Sequence, residues 1–229
     1  MLIGIFSDAH GNEPGFFECY NFLAKHADSL YYLGDVVGYF PLSNKIIDTL
    51  RTNNIHCLKG NHDAMLLGEL RYESAREKIY QIANSRNAVS KQNFDFLRSL
   101  APEKKITIDN RSILFVHGSP WDPLNGYVYP DGDVSDFEKL PYDVIFMGHT
   151  HRAFIKKAGK KTLINVGSCG LPRDTGNKIT ICLYDTIKNE ASIKNLEMDI
   201  REVIKLYGVQ IHPTVHDVLN MNNKIFENE

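Results

Sequence analysis

Seven short apolar runs, each bounded by turn residues, limit most strongly what this chain can fold into. The runs are Leu2–Phe6, Leu30–Leu33, Ile55–Leu58, Ile113–Val116, Val144–Met147, Leu163–Val166 and Ile179–Tyr184. Runs of four to six residues are too short for ordinary helices but have the length of buried strands. We therefore predict that the chain folds around buried β-sheet.

The segments between these runs differ in the two halves of the chain. Apolar residues at helical spacing cover 16–27 and again 43–50, and such alternation of strands with helices implies a parallel sheet in the first sixty residues. Later segments break at turn residues, which predicts antiparallel hairpins. They are 105–116, breaking at Asp109-Asn110, 154–166, breaking near Gly159, and 179–196, breaking near Lys188-Asn189. The prediction is an α/β (α+β) fold with a mixed, two-layered sheet and helices outside.

A chain of 229 residues is within the size of one α/β unit, so we predict a single domain over 1–229. Residues 70–100 have a largely helical pattern and carry no site motif. We interpret them as an excursion that could form part of a lid. Asp199-Ile-Arg-Glu202 resembles a capping box before a final short helix.

Composition excludes several classes of protein. Hydrophobic residues make up 43% and charged residues 24%, which argues against disorder and fibres. A net charge of −2 offers no overall attraction for nucleic acid, and no stable nucleic-acid binding is expected. No run is long enough to span a bilayer, and the four cysteines lack C-x-x-C spacing. We expect a cytoplasmic protein with reduced thiols and no membrane association.

Polar loops follow five of the predicted strands, and they contain five of the nine histidines. The loops read Asp8-Ala9-His10, Gly34-Asp35, Gly60-Asn61-His62-Asp63, His117-Gly118 and Gly148-His149-Thr150-His151. Loops at the carboxyl ends of strands in open α/β sheets converge on one crevice. Imidazole, carboxylate and amide ligands together suit Mn, Fe, Zn or Ni better than an all-oxygen Mg or Ca site. One carboxylate can bridge two ions.

Each of these residues also has an ordinary interpretation. Asp8 and Asp35 could cap helices, and Asn61 or His117 could satisfy a turn. The adjacent glycines could simply end strands. Five such motifs together favour a shared metal site over five independent structural roles.

The ordered motifs D-x-H, G-D-x-x-G, G-N-H-D, V-H-G and G-H-T-H resemble those of the calcineurin-like metallophosphoesterases, from Asp8 to about Gly170. The resemblance implies a four-layer αββα sandwich of two mixed sheets flanked by helices. It also implies two divalent metal ions, with Mn expected and Fe, Zn, Ni, Co or Mg as alternatives. The implied ligands are Asp8, His10 and His151 for the first ion, Asn61, His117 and His149 for the second, and Asp35 as the bridge. His62 is implied as the catalytic residue beside the scissile phosphate, an acid or a charge stabiliser.

Three further segments resemble the small bacterial and archaeal phosphodiesterases related to diadenosine tetraphosphatases: Asp8–Asn12, Gly34–Tyr39 and Asn165–Asp174. That branch implies hydrolysis of nucleotide-type or dinucleoside polyphosphate diesters by metal-activated water. Alternatives are a phosphomonoesterase or protein phosphatase, and a noncatalytic metal-binding scaffold. The second motif lacks the G-D-x-V-D-R-G form of protein phosphatases, and the complete ligand set disfavours a scaffold.

Several residues have two open interpretations. His62 could instead orient a metal ligand. Asn12 and Arg173 could contact a phosphate oxygen, although Arg173 could equally pair with Asp174. The loop aromatics could stack on a nucleobase or pack under the lid: Tyr39, Phe40, Trp121, Tyr127 and Tyr129. The expected partner is a small phosphate ester such as a nucleotide, and the oligomeric state stays open.

Overall fold

The computed structural model describes residues 1–221, in which the chain forms ten β-strands and eight α-helices. The strands are β1 (Leu2–Phe6), β2 (Ser29–Tyr32), β3 (His56–Cys57), β4 (Glu103–Ile108), β5 (Arg111–Val116), β6 (Val144–Met147), β7 (Phe154–Ala158), β8 (Lys161–Asn165), β9 (Lys178–Asp185) and β10 (Glu190–Glu197). The helices are α1 (Glu13–His26), α2 (Asn44–Thr52), α3 (Asn61–Leu67), α4 (Glu77–Tyr80), α5 (Ile82–Ala88), α6 (Lys91–Ser99), α7 (Ile200–Tyr207) and α8 (Pro213–Leu219). All seven apolar runs overlap strands. None of these helices is long and apolar enough to cross a membrane.

The strands form two five-stranded mixed sheets, in the orders β10-β9-β1-β2-β3 and β4-β5-β6-β8-β7. Strands β1, β2 and β3 are parallel, as are β5, β6 and β8, and the three predicted hairpins are antiparallel. In the β4–β5 turn, Asp109 and Asn110 have φ of 48° and 60°. Positive φ at both turn residues is the geometry that two-residue hairpins favour. The predicted parallel and antiparallel regions are both confirmed.

The two sheets pack face to face through the alternate side chains of each strand. Ile3 and Ile5 of β1 point into this inner core, whereas Phe6 belongs to the core under the helices. Tyr31 of one sheet stacks on Phe115 of the other, with ring centroids 4.1 Å apart. The period of two along each strand therefore divides its residues between the inner and outer layers.

The outer layers are unequal. Helices α1, α2, α3, α5, α6, α7 and α8 contribute to the large core over the first sheet. The second sheet is covered by a short 3-10 helix, Ser135–Lys139, whose buried Phe137 packs on Val116 and its neighbours. The four-layer αββα sandwich is confirmed, with one thick helical layer and one thin one.

The end of the described chain differs from the prediction in one respect. Asp199 accepts hydrogen bonds from the backbone N–H groups of Arg201 (2.9 Å) and Glu202 (3.4 Å), which starts α7 as predicted. Helix α7 is not the final helix, however, since α8 follows at Pro213. Proline suits the first position of a helix, and the His212 side chain caps it by accepting from Thr214 N at 3.3 Å.

The predicted helical excursion, 70–100, contains α4, α5, α6 and a 3-10 turn at Ser74–Arg76. The Tyr80 carbonyl accepts a hydrogen bond from Tyr39 N (3.0 Å), and the Tyr80 ring lies 4.5 Å from that of His62. The excursion thus contacts residues of the candidate site. Its role as a lid, and the assignment of the whole chain to one domain, stay predictions.

Candidate metal centre

The seven candidate ligands lie in loops that follow β1, β2, β5 and β6 and at the start of α3. None is more than 7% exposed. Asn12 caps α1 and Ser43 caps α2, so the alternative capping roles of Asp8 and Asp35 at these helices are wrong. The topology brings the ligands together because the parallel strands end at the same edges of the two sheets.

Five candidate ligands have left-handed backbone conformations, which residues other than glycine seldom adopt. Their φ values are 60° for Asp8, 52° for His10, 58° for Asp35, 65° for His149 and 57° for His151. Interloop hydrogen bonds hold this backbone, among them Asp8 N to Gly34 O (3.0 Å) and His10 N to Asp35 O (3.1 Å). Strained backbone of this kind concentrates at functional sites.

Asp8, His10 and His151 form the first group whose ligand atoms could hold one ion, with all of these atoms within 4.8 Å of one another. Nε2 of His10 lies 2.9 Å from Nε2 of His151, and the latter lies 3.3 Å from Asp8 Oδ1. The buried Asp8 Oδ1 has no hydrogen-bond donor. A cation would satisfy this oxygen.

Asp35, His117 and His149 form a second such group. Nε2 of His117 lies 3.5 Å from Asp35 Oδ1 and 3.0 Å from Asn61 Oδ1, while the buried Nε2 of His149 has no partner. The other oxygen of Asp35, Oδ2, lies 3.7 Å from Nε2 of His10 in the first group. The two Asp35 oxygens therefore face opposite groups, as a bridging ligand requires.

Three imidazole rings are oriented by backbone carbonyls. Nδ1 of His10 is 2.9 Å from Val37 O, Nδ1 of His117 is 2.8 Å from Leu33 O, and Nδ1 of His151 is 2.6 Å from Leu171 O. When Nδ1–H donates to a carbonyl, the neutral ring keeps its lone pair on Nε2. All three Nε2 atoms point into the centre, ready to bind a metal ion.

The protonation states of the candidate histidine and aspartate ligands also suit metal binding. Burial lowers the pKa of His10 and His151 and brings that of His117 to about 3, so these rings stay neutral. Burial raises the pKa of Asp8, and burial together with the Asp8 charge raises that of Asp35. Buried carboxylates that cannot easily ionise alone are stabilised by bound cations. The donor set fits two divalent ions.

His62 lies between the first group and the helical excursion. Its ring is 4.9 Å from that of His10 and 5.0 Å from that of Tyr39, and its buried Nδ1 has no partner. Nδ1 would lie 2.2 Å from a Cβ at position 38, so Gly38, with φ +100°, is needed to admit the ring. His62 also falls in a third possible ligand group with His10 and Asp35. Burial lowers the pKa of His62 well below its usual value, and the ring is neutral.

Asp63 fixes the loop that carries Asp35, a role that was not predicted from the sequence. Oδ2 accepts from Asp35 N and from Gly60 N, both at 2.9 Å, and Oδ1 accepts from Val36 N at 3.0 Å. Its position in the first turn of α3 was the available signal, since acidic residues there often bind backbone N–H groups. Ser168 holds the loop that carries Asp8, since its Oγ donates a hydrogen bond to Asp8 O at 2.7 Å.

The two candidate substrate contacts have different outcomes. Asn12 has no free amide: Oδ1 accepts from Gly15 N (3.2 Å) and Nδ2 donates to Gly170 O (2.7 Å). Arg173 instead donates from Nη2 to the Tyr39 hydroxyl at 3.1 Å, beside the centre. The structure favours a capping role for Asn12 and a site location for Arg173.

The loop aromatics separate into two sets. Tyr39 and Tyr127 border the centre, with the Tyr127 ring 4.2 Å from that of His149. Phe40 is fully buried in the helical core, and Trp121 packs edge-on against Phe137 with centroids 4.7 Å apart. Stacking on a substrate is therefore excluded for Phe40, which packs in the core, and favoured at Tyr127 over Trp121.

Acidification tests whether these histidines bind metal, because only a neutral imidazole is a ligand. An exposed histidine has a pKa of 6.5, and burial lowers the folded-state pKa of His10, His117 and His151. The folded ligands therefore resist protonation below pH 6.5, whereas the unfolded chain takes up protons there. We expect metal content to be retained at pH 6.5 and lost progressively below it, together with stability. Metal analysis after dialysis between about pH 7.5 and about pH 4 checks this. Release centred at or above pH 6.5 would contradict it.

Comparison with known proteins identifies several relatives of this chain. Residues 1–189 match the model of the calcineurin-like phosphoesterase superfamily domain. An uncharacterized protein of Methanocaldococcus jannaschii is 30% identical over 222 residues, covering 88% of this chain and 89% of its own. The metallophosphoesterase of Sphaerobacter thermophilus has a similar structure (TM-score 0.80, 22% identity, 96% of this chain and 98% of that one). A novel archaeal phosphodiesterase shares the fold more distantly (TM-score 0.54, 19% identity, 86% and 100%). The chain therefore belongs to the calcineurin-like phosphoesterase superfamily.

Proposed function

We propose that this protein is a two-metal phosphoesterase that hydrolyses phosphodiesters, with nucleotide-type or dinucleoside polyphosphate substrates preferred. The observation that carries the proposal is the pair of ligand groups whose Nε2 atoms converge from both sides on the two oxygens of Asp35. One ion would be held by Asp8, His10 and His151, and the other by Asn61, His117 and His149. Asp35 would bind both ions.

Bound there, two divalent cations would supply a hydroxide nucleophile near neutral pH and offset charge on the phosphate oxygens. The residues of the chain fix what surrounds that chemistry. The carbonyls of Val37, Leu33 and Leu171 hold the imidazole rings in one tautomer, and Asp63 holds the Asp35 loop. His62, neutral before substrate binds, would donate its one ring N–H toward a phosphate oxygen or the leaving group.

The preference for nucleotides is supported by Tyr127. Its side chain is 58% exposed although its ring contacts that of His149, and Tyr129 stacks behind it with centroids 5.7 Å apart. An exposed aromatic ring next to a candidate metal ligand is suited to contact a base attached to the bound phosphate.

Removing the Tyr127 ring should raise KM for nucleotide substrates but not for small phosphate esters. Tyr127→Ala should raise KM for a nucleotide diester by about 5- to 100-fold, the range for one base–aromatic stack, and leave a small aryl phosphate unchanged. Trp121→Ala is the matched control, since Trp121 is similarly exposed but packs on Phe137. Steady-state kinetics on both substrates give the comparison. Equal losses on both substrates, or none on either, would leave the preference without a base-binding residue.

The experiment that tests the function is a panel of monoesters, diesters and dinucleoside polyphosphates, each with Mn, Ni, Co, Zn and Mg. Turnover of diesters above monoesters supports the proposal. Faster turnover of monoesters would favour a phosphomonoesterase. No turnover of any ester by protein loaded with two ions would favour a noncatalytic scaffold.

A further inference from the structure

The guanidinium of Arg173 has no acidic partner in the part of the chain that the structure describes. Asp174, its candidate partner from the sequence, accepts from Ala153 N at 3.1 Å and lies 3.7 Å from Nη1 of Arg152. The Arg173 Nε is buried and makes no hydrogen bond. A partly buried cation with an unused donor is suited to bind another anion.

The surrounding contacts hold Arg173 beside the metal centre. Its backbone N donates to His151 O at 3.1 Å, and Nη2 donates to the Tyr39 hydroxyl at 3.1 Å. The Tyr39 ring in turn contacts those of His10 and His62, at 4.8 Å and 5.0 Å. Arg173 is thus tied to the candidate ligand His151 through its backbone, and to Tyr39, the neighbour of His62, through its guanidinium.

The positive charge of Arg173 lies close to the first candidate ligand group, because the guanidinium contacts Tyr39 and the Tyr39 ring is 4.8 Å from that of His10. Arg152, one residue from His151, is paired with Asp174 instead. A fixed positive charge beside a site for two cations opposes metal binding. A bound anion placed between Arg173 and the metal ions would be attracted by both and would offset their mutual repulsion.

A phosphate group fits that requirement, because a planar guanidinium can donate to two phosphate oxygens at once. We propose that Arg173 binds the phosphate oxygens of the substrate and of the product, and that Tyr39 is the positioning residue that aims it. The inference rests on the proposed function, since it assigns the residue that recognises phosphate at the same site.

Phosphate binding can be measured without turnover. Titration calorimetry of the manganese-loaded protein with inorganic phosphate should give a Kd about 10- to 100-fold weaker for Arg173→Gln, the range for charge-assisted hydrogen bonds. Arg173→Lys should be intermediate, because it keeps the charge and loses the planar pair of donors. Tyr39→Phe, which keeps the ring, should weaken phosphate binding by about 2- to 10-fold, as for one hydrogen bond. Arg152→Gln is the matched control and should bind phosphate as the parent protein does.

Manganese titration without phosphate provides the second readout. Arg173→Gln should bind manganese as tightly as the parent protein or more tightly, which shows an intact fold and removal of an opposing charge. Unchanged phosphate affinity in Arg173→Gln, or equal losses in Arg173→Gln and Arg152→Gln, would overturn the inference. So would weaker manganese binding in Arg173→Gln, which would indicate a damaged centre. Failure of the parent protein to hydrolyse any ester, with phosphate binding still dependent on Arg173, would overturn the proposed function alone.

Discussion

Asp35→Asn is expected to remove the binding of both metal ions and with it the hydrolytic activity. Its two oxygens lie 3.7 Å from His10 Nε2 and 3.5 Å from His117 Nε2, so one substitution alters both ligand groups. Metal affinity should fall by more than about 100-fold, the upper end for residues that only orient a ligand. Elemental analysis should find two ions per chain in the parent protein and fewer than one in the variant.

The asparagine keeps an oxygen that can accept the hydrogen bond from His62 N, 2.8 Å long in the parent protein, so the fold should survive. Asp8→Asn should lower occupancy of the first site more than the second, because Asp8 belongs to one group. Asp48→Asn, an exposed carboxylate on α2 paired with Arg51, controls for loss of one negative charge. Two ions retained in Asp35→Asn would refute the bridge.

His62→Ala is expected to separate catalysis from metal binding. His62 borders the centre with an unpartnered Nδ1, and the proposed ligand set is complete without it. Both ions should remain bound while kcat falls by roughly 10² to 10⁴, the range for loss of a general acid or base. Metal analysis and kinetics on the same preparation measure both quantities. Loss of an ion would instead assign His62 to the third ligand group with His10 and Asp35.

The leaving group distinguishes the two roles of His62. If His62 protonates the leaving oxygen, the loss of kcat in His62→Ala should be much larger for an alkyl or nucleoside leaving group than for a nitrophenyl one, which needs no proton. If His62 stabilises charge on a phosphate oxygen, the losses should be similar. His62→Gln, which keeps an N–H donor, should restore part of the activity in the second case only. Full activity of His62→Ala on both esters would remove it from the mechanism.

Much of the fold could be predicted because its signals are local. The strand β6, Val144–Met147, was predicted with its observed bounds, and the β4–β5 turn at Asp109-Asn110 was predicted from two residues. The candidate metal ligands could be named because the short motifs that follow the apolar runs resemble those of a known family. The prediction had one final helix where the structure has two, α7 and α8. The cap at Asp199 was used to predict the first, but the helix start signal at Pro213 was not used.

Local sequence signals were enough to predict the strands and the hairpins that join them and to indicate candidate metal ligands, because periodicity, turn residues and motifs lie within a few positions of one another. The orientation of those side chains, in contrast, depends on long-range packing. Partners far away in the chain determine three of these features. They are the left-handed backbone of His149, the amide of Asn12 that already bonds to Gly170 O, and the contact between Arg173 and Tyr39, which are 134 positions apart. Contacts of that kind arise from sheet and loop packing, which no local pattern encodes, and they decide which polar residues remain free to meet a substrate.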